Sequence, residues 1–157
     1  EWIKMACRMY LKLGDIKGPS QDKEHKDWIE VDSFGYGVSN SVDAVEKAKN
    51  KPGGEACSHS DLALDKPVDK TSTQLYAYCS VGKEFPKAEL DVFEEEDPLF
   101  KIKLEKVYLS SVSVGGSTGG IPTESVVLSY AKIAWQYKKE AEQNWDLVQN
   151  AGSLKKK

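Results

Sequence analysis

Trp28-Ile29-Glu30-Val31-Asp32-Ser33-Phe34-Gly35-Tyr36-Gly37-Val38 is the stretch on which the fold turns. Ile29 and Val31 are apolar at odd positions, whereas Phe34, Tyr36 and Val38 continue the alternation at even ones. Side chains alternate across a strand with period two, so one regular strand cannot place both sets on a single face. A β-bulge near Asp32-Ser33 resolves the conflict and bends the strand. The same slip recurs downstream: Phe100, Ile102 and Leu104 are even, Val107 and Leu109 odd, which calls for a second bulge near Glu105-Lys106. Strands bent in this way roll a sheet into a barrel.

Outward from that stretch the dominant period stays at two. Met9-Tyr10-Leu11-Lys12-Leu13 reads as a half-buried strand, followed by turn residues from Gly14 to Ser20. Strand character resumes over His59–Asp65 and again where Ala88, Leu90 and Val92 alternate with Glu89 and Asp91. Glu94–Pro98 makes a charged turn and Gly115–Gly120 a flexible hairpin loop. Thr123–Tyr137 reads as one long strand, apolar on both faces and therefore covered on both, by the barrel interior and by the helix or a neighbouring subunit. A short last strand is expected at Trp145–Val148.

Two segments depart from this period. Thr73–Val81 predicts a helix, with Thr71 or Ser72 as N-cap, Leu75, Tyr78 and Cys79 on one face, and Gly82 after its end. Two to three turns are marginal alone, so this helix must lean on the sheet. Ser41–Cys57 holds good helix formers around Asp43 and Lys47 but almost no apolar stripe, and Pro52-Gly53-Gly54 follows. It reads as a long arm, either mobile or docked on something other than its own domain. The expected fold is mostly β: a bent antiparallel β-barrel of two sheets, with one short flanking α-helix and a long extended loop. Residues 1–157 form a single domain with a core at about 8–148, and 1–5 and 149–157 are expected to be flexible ends or vector-derived remnants.

At 157 residues the chain can bury a core without staples. A formal charge of −3, with basic residues scattered, gives no attraction for nucleic acid or an anionic membrane. No apolar run is long enough to span a bilayer, and Glu1–Arg8 has no signal-peptide core. Lys155–Lys157 is expected to be a solvated end. Cys7, Cys57 and Cys79 have no metal spacing and read as free thiols of a chain that folds in a reducing cytosol.

Catalytic patterns are absent from the sequence. His25 and His59 stand among polar residues, with hydrogen-bonding structural roles expected for both. His59-Ser60-Asp61 has the residue types of a triad, but neighbours on one strand point to opposite faces. Gly115–Gly120 leads into a strand rather than a helix, unlike a phosphate loop. Glu94–Asp97 lacks the spacing of a calcium loop. Phe34, Tyr36, Tyr130 and Trp135 lack the basic interleaving of a nucleic-acid barrel. No enzyme activity, metal or cofactor is expected.

Several stretches, in order, carry a resemblance: Tyr10–Ser20, His25–Val31, His59–Leu62, Asp69–Ser72 through Ala77–Lys83, Val107–Ser113, and Pro122–Glu124 through Leu128–Ala131. Together they resemble the Hcp (haemolysin-coregulated protein) family of type VI secretion tube proteins. The resemblance implies a non-enzymatic subunit that forms hexameric rings. These stack into a tube inside a contractile sheath, on a baseplate and beneath a VgrG spike. It also implies assembly in the bacterial cytoplasm, secretion without a signal peptide, and carriage of effector proteins in the lumen. Nucleic acid and membrane insertion play no part. The arm then becomes a ring contact, with Val42, Val45 and Lys47 as candidates, and Val127, Ile133 and Trp135 become candidates for the subunit interface. The family's second strand often has an aromatic–Ser–aromatic step with the small residue facing the lumen. Here it is Phe34-Gly35-Tyr36, which makes Gly35 and Gly37 the lumen-facing candidates. Two other readings compete. A monomeric β-barrel binding a small ligand needs an empty apolar interior, and an enzyme needs a nucleophile and base brought together by folding.

Overall fold

The computed structural model describes residues 7–40 and 57–154. The segment of the arm that includes Val42, Val45 and Lys47 lies outside the described residues.

The strands are β1 (Cys7–Leu13), β2 (Ile29–Val31), β3 (Ser33–Gly35), β4 (Val38–Asn40), β5 (Cys57–His59) and β6 (Leu62–Pro67), then β7 (Glu84–Glu94), β8 (Asp97–Gly115), β9 (Thr123–Ser129), β10 (Lys132–Tyr137), β11 (Gln143–Asp146) and β12 (Ala151–Gly152). One helix among the described residues, α1 (Ser72–Val81), separates β6 from β7. Pairing is antiparallel throughout: β2–β1–β7–β8–β9–β6–β3 runs round the molecule, β10, β11 and β12 extend from β8, and β4–β5 form a separate ribbon. The sheet is not closed by a continuous ladder. Its two ends meet at Asp32, whose N–H donates to the Asp65 carbonyl at 2.8 Å. The expected barrel is thus a bent sheet joined at one corner.

Three phase slips produce the bend. At Asp32 the chain leaves β1 as its partner and takes β6, so Ile29 and Val31 are buried on one side of the corner and Phe34 and Tyr36 are half-buried on the other. This is a change of partner where a bulge was expected. Lys106 has φ +56°, and the buried positions pass there from Ile102 and Leu104 to Val107 and Leu109. A further shift between Leu109 and Ser111 returns the inner face to Val112, opposite Val126.

A separate break corrects the reading of Thr123–Tyr137 as one strand. The chain breaks at Tyr130-Ala131 into β9, paired with β6 and β8, and β10, paired with β8 and β11. Val126 and Leu128 are buried before the break and Ile133 after it. Apolar residues in both phases record two one-sided strands, not one strand covered twice. The strand expected at Trp145–Val148 falls at Gln143–Asp146, β12 follows it at Ala151–Gly152, and Val148 is 80% exposed.

Cross-strand rows build the core. Leu13, Ala88, Leu104 and Ile133 stand in register, and so do Ile29, Leu11, Leu90, Ile102 and Trp135. Each fully buried Leu or Ile contributes about 1.5–3 kcal/mol. The interior is filled by these side chains with Leu62, Leu64, Val126 and Leu128. A cleft of 690 Å³ lies outside it, bordered by Lys12, Lys83, Lys87 and Lys103. The empty apolar interior that a small-ligand barrel needs is taken up by packing.

α1 docks with Leu75 buried and Tyr78 and Cys79 half-buried, and ends at Gly82 with φ +66°, where glycine carries no steric cost. Thr71 is its N-cap but makes no capping bond with its side chain. The helix start is held instead by a buried knot: Glu124 on β9 accepts from Lys66, Ser72 and Tyr76, and Lys66 also pairs with Asp69 at 3.3 Å. Burial pushes the Glu124 carboxyl up, but its three donors and the Lys66 charge outweigh that and hold it below the usual range.

Candidate functional site

Two surfaces carry the residues singled out from the sequence. The first is the outer face of β3–β6–β9–β8. Gly35 pairs with Ala63, Ala63 with Val127, and Val127 with Ser111. One step along, Ser33, Asp65, Ser125 and Ser113 stand in the same register. Directly opposed residues of antiparallel strands share a face, so Gly35 and Val127 look the same way. This face is paved with small side chains. A Cβ added at Gly35 or Gly37 would meet nothing within 4 Å, and both glycines are exposed.

The second surface is the rim where the β4–β5 ribbon joins the sheet. Val38 pairs with His59 and Asn40 with Cys57, so Cys57 and His59 project from one face of β5. His59 stacks on Trp135 at 6.0 Å and on Trp145 at 5.9 Å between ring centroids. Its Nδ1 lies 2.6 Å from the Tyr36 hydroxyl and its Nε2 lies 3.2 Å from Cys57 Sγ. The Tyr130 hydroxyl donates to the Ser60 carbonyl at 2.6 Å and ties the neighbouring loop down. Burial holds the His59 imidazole below its ordinary value and raises the Tyr36 and Tyr130 phenols.

The candidate residues therefore separate. Gly35 and Val127 share the small-residue face, whereas Trp135 is a half-buried wall of the rim cluster. Ile133 is 1% exposed and belongs to the subunit's own core. Its apolar character needs no partner, because β10 turns it inward onto Leu104. The rim cluster itself was missed in the sequence. The Cys-x-His spacing of Cys57 and His59 signals a shared strand face, but the convergence of Tyr36, Trp135 and Trp145 is a product of folding.

His59, Ser60 and Asp61 do not converge: Ser60 Oγ accepts from the Gly37 N–H, and Asp61 accepts from Ser110 at 3.0 Å. His25 is 3% exposed, with Nδ1 on Asp22 and Nε2 on Asp91, each at 2.9 Å, and Tyr10 stacked on its ring at 4.6 Å. Among the described residues no cluster of three or more His, Cys, Asp or Glu side chains could hold a metal. Nor is any helix there long and apolar enough to cross a membrane.

The family model for the type VI secretion system effector Hcp matches residues 10–137. The chain belongs to the Hcp family. Protein hcp1 of Pseudomonas aeruginosa is 34% identical over 138 residues, covering 85% of this chain and 84% of that protein. A solved structure of a type six secretion system protein superposes with a TM-score of 0.83 at 27% identity, covering 94% of this chain and 100% of the other. Hcp1 from Salmonella typhimurium superposes at 0.78 and 28% identity, over 94% and 99% of the two chains. The Hcp fold, the single described helix and the bend of the sheet are thus shared features. Hcp is a structural, secreted component of type VI secretion and is not a known enzyme family.

Proposed function

We propose that this Hcp chain is a tube subunit. Six copies close into a ring, the rings stack into the inner tube, and the small-residue face of β3–β6–β9–β8 lines the lumen where effectors travel. Sheath, baseplate and VgrG spike are its other partners, and the tube is expelled from the bacterial cytoplasm without a signal peptide. One observation carries this reading: a broad sheet face on which Gly35, Ala63, Val127 and Ser111 form one cross-strand row and Ser33, Asp65, Ser125 and Ser113 the next, both built mostly of small side chains.

On this reading Val127 goes to the lumen with Gly35 instead of to a subunit contact, since the register gives them one environment. Trp135 supports ring contacts indirectly by seating the root of the arm. The arm, with Val42, Val45 and Lys47, remains the proposed contact to the next subunit or ring. Electron microscopy of the purified chain tests the proposal. Ring-sized particles with an open centre are expected, and a lone protomer at every concentration would overturn it. Deleting residues 44–53 should weaken stacking and leave the sheet folded.

A further inference from the structure

We propose that Cys57 is the reactive thiol of this chain, a site of thiol–disulfide exchange with small disulfides for which His59 is the base. The three cysteines differ in what faces the sulfur. Cys7 is exposed. Cys79 is half-buried and donates its S–H to the Leu109 carbonyl at 3.4 Å, an acceptor that holds the proton near the sulfur without removing it. Cys57 is half-buried with its sulfur 3.2 Å from His59 Nε2, a nitrogen that can take the proton away. The thiolate is the nucleophile in such exchange, so a positioned base outweighs exposure.

Burial weakens His59 as a base, and two contacts of the ring act against that. The transfer uses the tautomer in which Nδ1–H donates to the Tyr36 oxygen, 2.6 Å away, and Nε2 accepts from the thiol. The imidazolium that forms is stacked against Trp135 and Trp145, at about the separation where a cation gains from an aromatic ring. In the exchange step Cys57 Sγ attacks one sulfur of the disulfide and a new S–S bond forms. The old S–S bond breaks, and the leaving thiolate takes the proton from His59. Cys57 is oxidised and half of the small disulfide is reduced to a thiol. The adduct replaces the Sγ–Nε2 contact within β5, at the root of the arm.

The test incubates the folded chain with oxidised glutathione, quenches with acid, and follows the mixed disulfide at each cysteine peptide by mass. Cys57 is expected to react roughly tenfold or more faster than the better exposed Cys7, within the range a positioned base provides. His59→Ala should bring Cys57 to the rate of Cys7 or below, and added imidazole should restore part of the loss, which a purely structural role would not allow. Reaction at Cys7 first in the unaltered chain overturns the proposal even if the variant misfolds. A Cys57 rate unchanged in a folded His59→Ala variant overturns it as well.

Discussion

The two histidines occupy opposite kinds of surroundings. His25 is sealed in, with a carboxylate on each nitrogen, Tyr10 stacked on its face and Trp28 and Phe93 meeting it edge-on. His59 sits at a rim, stacked against two indoles, with a phenol and a thiol as partners. The first region couples charge to burial: Asp91 is 5% exposed and is compensated by His25 at 2.9 Å and Lys101 at 3.8 Å. The second couples aromatic stacking to a ribbon at the base of the arm. The same residue type therefore fastens the sheet in one place and seats the β4–β5 ribbon in the other.

Removing the buried partner should show the largest effect. His25→Ala leaves Asp91 buried without its donor and is expected to cost about 3 kcal/mol in urea unfolding. Lys66→Met should cost a similar amount, about 3 kcal/mol, because Glu124 then keeps its charge without a cation. If both variants melt like the parent, charge compensation is not what holds the interior.

At the rim, His59→Ala should cost about 1 kcal/mol, the scale of lost aromatic pairs. It should also change the indole NMR signals of Trp135 and Trp145 while leaving those of Trp28 in place.

Acid should separate the two behaviours. His59 binds its proton less readily folded than unfolded, so its contribution to stability is full above about pH 6.5 and falls as the pH drops through the lowered folded value. Glu124 is also depressed, so its contribution is full above about pH 4.3 and is lost as the pH falls through its folded value. The indole signals of Trp135 and Trp145 should therefore move before the circular dichroism of the sheet does. A single transition would merge the two regions.

Gly35→Ser should have the smallest effect on stability, within about 0.5 kcal/mol, since an added Cβ meets open space. It places a hydroxyl on the face proposed for the lumen, and effector co-purification with rings reads its consequence.

Much of this fold was legible because alternation leaves a direct trace. Both phase slips noted in the sequence, at Asp32 and at Lys106, mark places where a strand changes partner and not the bulges expected, and the helix ends at the glycine expected. The slip at Tyr130-Ala131 carried the same signature as the other two, yet it was read as two-sided burial. A run apolar in both phases is ambiguous between one covered strand and two bent ones, and only the partners of β9 and β10 resolve it. Asp91 alternates with Leu90 and Val92 as a solvent-facing residue should, but the loop carrying His25 and Trp28 closes over it.

Local pattern determined alternating strands such as β1, β6 and β7 and the helix α1, since these depend on side chains within a few residues of one another, while the order of such stretches along the chain carried membership of the Hcp family. Tertiary structure alone decided which faces the candidates share: Gly35 with Val127, Ile133 with the core, and Cys57 and His59 with Tyr36, Trp135 and Trp145. Those groupings arise from pairing between strands far apart in the chain. Periodicity along one strand tells which residues lie together on a side, and the register with the next strand tells what that side meets.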